Sequence, residues 1–425
     1  MGYLVEFARL IISEQLYYYL ALTLLFFITQ FIIIRKHLYS IFDPLSFFIV
    51  FNSFAWATAI LASSDYIDII DITIMNLAFI IPGVFIKPIN LSVCQAALQL
   101  RTRRIDFQIF YIFFLIFILS TLLLWMVKGI PLFSGNPDRA KILIYQGGFG
   151  VVRYIHFVMP LFCILFSLYC LVYRNNDFFT KLTLWFIALF SIMVLLFSGS
   201  KSSLLPIVFV LGFLGVLDKK NPKAKKLNRL SYFVFFLAVV MMLVVFSIVS
   251  NSLNLEFIFE LFLIRMIAFG DTFYFWYQFE IKDKIGDVNL IYYLLSPLLE
   301  MLKITEHTHP LGAQLVTAST GEKLVTFGPN GQLPVLLSLA SNYFKYLLSF
   351  MFGCIFFLLR KNMIVIVTKL GMMGVLLFST VFFSLTYIYT DILLLLSKFY
   401  SAIVVFFIFY FVCSLLKKSN FQRLR

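Results

Sequence analysis

Charge is what this chain has least of. Asp, Glu, Lys and Arg together make up 13% of its 425 residues, against roughly 25% in an ordinary soluble domain. Hydrophobic residues are 62%, and the mean hydropathy is +0.98. A water-exposed surface cannot be assembled from so few ionisable groups, which excludes a soluble globular protein. Histidine is scarce too, with four in all. Only His307 and His309 lie close together, and zinc needs a third and a fourth ligand, so no metal is expected. The five cysteines, Cys94, Cys163, Cys170, Cys354 and Cys413, fall in or beside apolar runs without metal spacing. They read as small buried hydrophobes rather than a disulfide framework. The first thirty or so residues lack a basic n-region and a small-residue cleavage site, so the first span is expected to direct insertion. No internal repeat is visible, which argues against a transporter built from inverted halves.

What is present is a series of long apolar runs. A membrane span takes about 20 mostly apolar residues, and eleven runs qualify: 16–34, 44–63, 70–89, 107–128, 151–173, 182–198, 203–217, 231–250, 343–359, 366–388 and 398–416. The expected fold is all-α, a polytopic inner-membrane helical bundle of about eleven helices, ten to twelve in range, forming one transmembrane domain over 1–425. The short runs 182–198 and 203–217 read as a tight helical hairpin. Residues 1–15 read as an interfacial helix that could extend the first span.

The basic clusters fix an orientation. Arg35-Lys36, Arg101 to Arg104, Arg174 with Lys181, Lys219 to Arg229, Arg360-Lys361 and Lys417 to Arg425 all fall on one side of an eleven-span chain. The bias of short loops makes that side cytoplasmic. The N-terminus is then outside and the C-terminus inside, with two long outer loops, 129–150 and 251–342. The same pattern accounts for the formal charge of +14 without nucleic acid; the clusters meet anionic headgroups. In the second loop, 255–280 and 289–304 read as helices, the latter kinked at Pro297, and 305–334 as loop.

The candidate residues are mostly on the outer side. Arg139 lies in the first loop and Arg153 at the outer end of the next span, and a guanidinium binds phosphate through a bidentate fork; the plainer alternative is snorkelling to headgroups. Lys201 lies in the small-residue turn Gly199-Ser200-Lys201-Ser202-Ser203, where backbone N–H groups could hold an anion. Arg265 sits among Leu261, Phe262, Leu263, Ile264, Met266 and Ile267, a costly setting for a charge without a partner. Asp271 is that partner or a base. His307 and His309 are further base candidates, with Glu300 and Glu306 as carboxylate alternatives. Phe273 to Tyr277 could stack on sugar rings or anchor at the interface.

Four features together resemble the Wzy-type O-antigen polymerases. They are Arg139 spaced to Gly150, the Gly199–Ser203 turn, the Arg265…Gly270-Asp271…Tyr274 pattern, and the Gly328-Pro329-Asn330-Gly331 turn. A further family pattern would start at His309, but its glycine, Gly321, stands one residue too far along. The resemblance implies a multispan protein of the bacterial inner membrane whose active site faces the periplasm. It implies metal-independent glycosyl transfer without a cofactor. Donor and acceptor would be oligosaccharides on undecaprenyl diphosphate, within membrane lipid, alongside a chain-length regulator and a flippase. In that setting Arg139, Arg153, Lys201 and Arg265 would contact the diphosphate, while His309, His307 and Asp271 would be the base candidates. An O-antigen ligase shares the architecture and the donor. A lipid-linked oligosaccharide flippase is a reading of another class, disfavoured by the length of 251–342.

Overall fold

A computed structural model describes residues 2–99, 104–134, 140, 149–198, 204–218, 220–250, 254–279, 281–305, 310–321, 332–341 and 343–422. The described residues form helices, turns and connectors, with no strand among them. Among the described residues, eight helices are long and apolar enough to cross a membrane: Leu4–His37, Pro44–Ala62, Tyr66–Phe85, Phe107–Phe133, Gly150–Tyr173, Phe178–Phe197, Lys345–Leu370 and Ile392–Ser414. The chain is therefore an all-helical, polytopic membrane protein.

Several expected spans take other forms. The run 203–217 is a helix over Leu205–Leu217; its 13 residues reach about 20 Å, short of a hydrocarbon core of about 30 Å. The run 231–250 belongs to a longer helix, Pro222–Ser250. The run 366–388 is broken at Gly371, whose φ is 62°. The helix before it ends at Leu370, and the one after it, Met372–Phe382, has 11 residues. At the other end of the chain, a π-helical turn over Ile11–Gln15 joins Gly2–Leu10 to Leu16–Ile34, so the N-terminal helix does extend the first span.

The chain divides into two compact units. Unit 1 is Met1–Ile89, Val239–Arg360 and Leu385–Leu396. Its central helix, Pro44–Ala62, begins where the Asp43 side chain accepts a bond from Leu45 N at 2.8 Å, with proline in the first turn where no donor is missed. A chain of buried amides and hydroxyls crosses its middle. Gln30 Nε2 donates to Ser53 Oγ at 3.0 Å, and Asn52 Nδ2 to Gln30 Oε1 at 2.9 Å and Asn76 Oδ1 at 3.4 Å. The Tyr389 hydroxyl closes the chain on Asn76 Oδ1. Polar groups in an apolar interior cost free energy unless bonded, and satisfied as here they fix which helix faces which. At Gly353 a side chain has no room: its Cβ would meet the backbone of Phe79.

The described residues of 251–342 belong to unit 1. Besides Leu255–Ile267, Asp271–Gln278 and Leu290–Met301, they form helices over Leu311–Thr320 and Leu333–Ala340. The expectation of loop over 305–334 therefore fails at Leu311–Thr320, where Leu311, Ala313 and Leu315 are buried. Pro310 precedes that helix, and Gly321 stops it at φ 73°, the left-handed cap that glycine takes readily.

Unit 2 is Asn90–Ala238, Lys361–Ser384 and Ser397–Arg425. Its hub is Gly150–Tyr173, buried along most of its length. Rings carry much of the packing: Phe110 lies 4.4 Å from Phe166, Phe113 stacks on Phe409 at 3.7 Å, and Phe213 meets Phe378 at 5.4 Å. Buried aromatic pairs of this kind contribute about 0.5–1.5 kcal/mol each beyond area burial.

Candidate functional site

Three helices of unit 2 meet near the start of Gly150–Tyr173. The Thr121 hydroxyl and His156 Nδ1 share a hydrogen bond of 3.0 Å, tying Arg104–Lys128 to the hub. Trp125 stands edge-on to the His156 ring at 6.4 Å and 5.7 Å from Phe197, while Phe133 lies 5.3 Å from Phe197. Arg153 is half-buried at this end. Its guanidinium donates to the Tyr154 hydroxyl at 3.3 Å and lies 5.1 Å from the centre of that ring. Phe149, which leads into the hub helix, has φ 59°. A non-glycine residue there stores about 1–2 kcal/mol of strain.

Arg139 and Lys201 lie outside the described residues. The last rings before them, Phe133 and Phe197, are the two in contact, so both segments leave the helices from one spot. Carboxylates are rare in unit 2, whose sequence holds only Asp106, Asp138, Asp177 and Asp218. Asp177 caps the opposite end of Phe178–Phe197, its carboxylate accepting from Thr180 N at 3.1 Å. Those bonds hold its pKa below the usual range. Asp218 follows Leu217, and that helix is tied to the far end of the hub by Tyr173, which donates to the Leu214 carbonyl at 2.7 Å.

In unit 1 the Arg265 segment dips beside the Pro44–Ala62 helix. Phe269 stacks on Phe51 at 4.3 Å, and Thr58 Oγ1 donates to the Ile267 carbonyl at 3.0 Å. Gln278 Nε2 reaches the Ala62 carbonyl at 2.8 Å. From Phe51 to Ala62 is about 16 Å of helix, so the short 3-10 turn over Ala268–Gly270 reaches mid-helix before the chain returns. Gln332 donates to the Phe269 carbonyl at 3.3 Å from the opposite side. Arg265 itself is exposed, its guanidinium 6.0 Å from the Phe269 ring centre. The Asp271 carboxylate accepts from Thr272 N at 2.8 Å, at the start of the next helix. Among the described residues, no ion pair joins Arg265 to Asp271, since the turn between them carries the two side chains apart.

His307, His309, Glu306 and the Gly328–Gly331 turn lie outside the described residues. The aromatic run takes neither expected role along its first half. Phe273, Tyr274 and Phe275 are buried, with Tyr274 4.7 Å from Phe7, so these rings belong to the core.

Two ion pairs were missed in the sequence. Lys345 and Tyr346 both donate to the Asp71 carboxylate, where side chains are 12% and 25% exposed for Lys345 and Asp71. Asp71 lies inside an expected span, and a carboxylate there was itself the signal. Arg360 reads as one more cytoplasmic-side cation but is buried, paired with Asp43 and bonded to the His37 carbonyl at 3.1 Å. Burial pushes the Asp43 carboxyl up, opposed by Arg360 and by the N–H groups of Leu45 and Tyr39.

In chemical terms, the half-buried Arg153 guanidinium is a group able to bind an anion. The Arg265 segment suits a phosphate or carboxylate through an exposed guanidinium. No family model, curated protein or solved structure matches the chain.

Proposed function

We propose that the chain polymerises oligosaccharide repeat units carried on undecaprenyl diphosphate, at the periplasmic face of a bacterial inner membrane. The observation that carries this is the ring contact between Phe133 and Phe197, with Arg153 on the helix whose His156 faces Trp125, a neighbour of Phe197. The segments bearing Arg139 and Lys201 depart from that one spot, at an end of unit 2 free of described carboxylates. The basic clusters orient it outward, with the N-terminus outside and the C-terminus inside.

The chemistry needs what these residues offer. A hydroxyl oxygen of the acceptor sugar bonds to the anomeric carbon of the donor, and the bond from that carbon to the diphosphate oxygen breaks. The hydroxyl proton passes to a base, for which Asp271, His307 and His309 are the candidates. Negative charge gathers on the departing diphosphate. Arg139, Arg153, Lys201 and Arg265 would stabilise it as preorganised cations, and the sugar–diphosphate bond supplies the driving force.

Replacing Arg139 and Arg265 by Ala and by Lys tests this, scored by the polysaccharide ladder with membrane levels checked. Ladder loss is expected from both Ala variants at normal levels; full ladders from both would overturn the assignment. Deleting the gene separates the neighbouring readings. A polymerase leaves one repeat unit on the lipid A-core, a ligase leaves the core bare, and a flippase leaves the repeat unit on the cytoplasmic side.

A further inference from the structure

We propose that a recess at one end of unit 1, edged by Tyr17 and Tyr18, binds a saccharide. On the polymerase reading above that saccharide belongs to the repeat-unit glycan, and the inference rests on that reading for the source of its ligand only.

The recess has a volume of about 560 Å³, within the range of about 300–1,000 Å³ usual for small-molecule sites. It opens where the π-helical turn Ile11–Gln15 runs into Leu16–Ile34. Glu14, Gln15, Tyr17 and Tyr18 line it from this stretch, while Ser63 and aliphatic side chains line it from Pro44–Ala62 and Tyr66–Ile80. On the orientation proposed above, this end faces outward. Single π turns recur at functional sites, because the extra residue re-aims the side chains around it. Just beyond the turn the chain is pinned. The Tyr19 hydroxyl donates to the Phe54 carbonyl at 3.4 Å, and Phe26 stacks on Trp56 at 4.2 Å. Tyr17 and Tyr18 therefore stand on a fixed helix, yet they are 90% and 56% exposed.

The lining selects among ligands. Among its described residues there is no Lys, Arg or His, so a phosphate finds no counter-charge. Its single carboxylate, Glu14, is too little for a hard cation, which takes several oxygens. Two open rings, a carboxylate that only accepts, and an amide that both donates and accepts are left. A sugar ring complements this set. Its C–H faces lie against aromatic and aliphatic carbon, and its hydroxyls donate to Glu14 and exchange hydrogen bonds with Gln15. Tyrosines also anchor proteins in the headgroup layer, but anchoring requires no recess with a carboxylate and an amide beside the rings. Tyr66, 83% exposed and outside the recess, is of that plainer kind.

The test uses the full chain in phosphatidylglycerol nanodiscs and saturation-transfer NMR. The probes are glucose, galactose, mannose, rhamnose, N-acetylglucosamine and N-acetylgalactosamine as free sugars, with choline and inorganic phosphate beside them. At least one sugar should bind the native chain. Tyr17→Ala should weaken that binding about tenfold, and Tyr17→Phe, which keeps the ring, should stay within about twofold. Glu14→Gln keeps the shape, loses the charge and should weaken it about threefold. Both side chains are exposed, so these variants should fold. Tyr66→Ala should bind like the native chain. Failure of all these sugars to bind, equal binding by the native chain and Tyr17→Ala, or equal weakening by Tyr66→Ala overturns the inference. Choline binding that depends on Tyr17 and Glu14, without sugar binding, marks a cationic-headgroup site and overturns it too. Ladder loss in the Arg139 and Arg265 variants with no sugar binding sinks this inference alone; sugar binding with full ladders sinks the polymerase assignment alone.

Discussion

Gly270 is the point at which the Arg265 segment touches its support, and Gly270→Ala probes that contact directly. Its φ of −101° lies in a region open to alanine, so the cost is steric rather than conformational. A Cβ there would lie 2.8 Å from the Ala55 carbonyl oxygen and from Thr58 Cγ2. Neither neighbour is a flexible side-chain end, since one is helix backbone and the other a β-branched methyl. Overpacking of this kind costs about 1–3 kcal/mol. Pushing the segment away also stretches the bond from Thr58 to Ile267, worth about 1 kcal/mol. Gly270→Ala should thus destabilise unit 1 by about 2–4 kcal/mol. Unfolding in mixed detergent and SDS, followed by tryptophan fluorescence, reports it, because Trp56 and Trp276 both belong to unit 1. Thr58→Gly clears the space, so the double variant should recover about 1–2 kcal/mol relative to additivity. Gly150, whose Cβ would meet nothing within 4 Å, supplies the control: Gly150→Ala should unfold like the native chain. A Gly270→Ala protein as stable as native, with no coupling to Thr58, would refute the packing described here.

Arg360→Met strands the Asp43 carboxylate in the interior and should cost about 3–5 kcal/mol, most of it regained in Asp43→Asn/Arg360→Met; additive losses in an unfolding titration would contradict the pairing. That single variant should also be pH-dependent. Burial raises the folded-state pKa of Asp43, so the folded form holds the proton more tightly. Its stability contribution is then present below the unfolded pKa and lost as pH rises through the folded one. The unfolding midpoint of Arg360→Met should therefore fall as pH rises above the ordinary carboxylate range of about 4, and a flat profile would count against a buried carboxyl. Tyr389→Phe removes the donor to Asn76 and should cost about 1 kcal/mol. Asn76→Leu leaves Asn52 short of a partner as well and should cost more, which the same titration would show.

Composition made the class legible, and periodicity made most spans legible, because a long apolar run has few ways to fold in lipid. The breaks were not. Leu370 to Met372 contains no proline, and the interruption falls at Gly371, whose φ of 62° glycine takes readily; a lone glycine in an apolar run does not say by itself whether the helix stops there. Leu311–Thr320 was obscured by its Thr and Ser residues, although Pro310 and Gly321 were a start and a stop in plain view. Among the candidate residues, Arg265 was legible because a guanidinium amid leucines is rare. Its separation from Asp271 was legible as well, since six residues of helical spacing already turn the two side chains to different faces. Arg360 was misread for the opposite reason. It sat in a basic cluster that topology already explained, and nothing in the sequence tied it to Asp43, more than three hundred residues earlier.

The two units treat their cations differently, and that difference bears on function. In unit 1 the interior cations meet carboxylates: Lys345 meets Asp71, and Arg360 meets Asp43. Each such pair is neutral as a whole, which is how an apolar interior tolerates charge. Arg265 is set apart there by its exposure and its aromatic neighbour. Unit 2 cannot follow the same plan, since its sequence supplies four carboxylates to a far larger set of Lys and Arg. Arg153 is half-buried at the start of its helix, over the Tyr154 ring. Aromatic faces and hydroxyls soften a cation's burial without cancelling its charge. On the polymerase reading proposed above, the diphosphate released in a glycosyl transfer is the anion such a cation would meet.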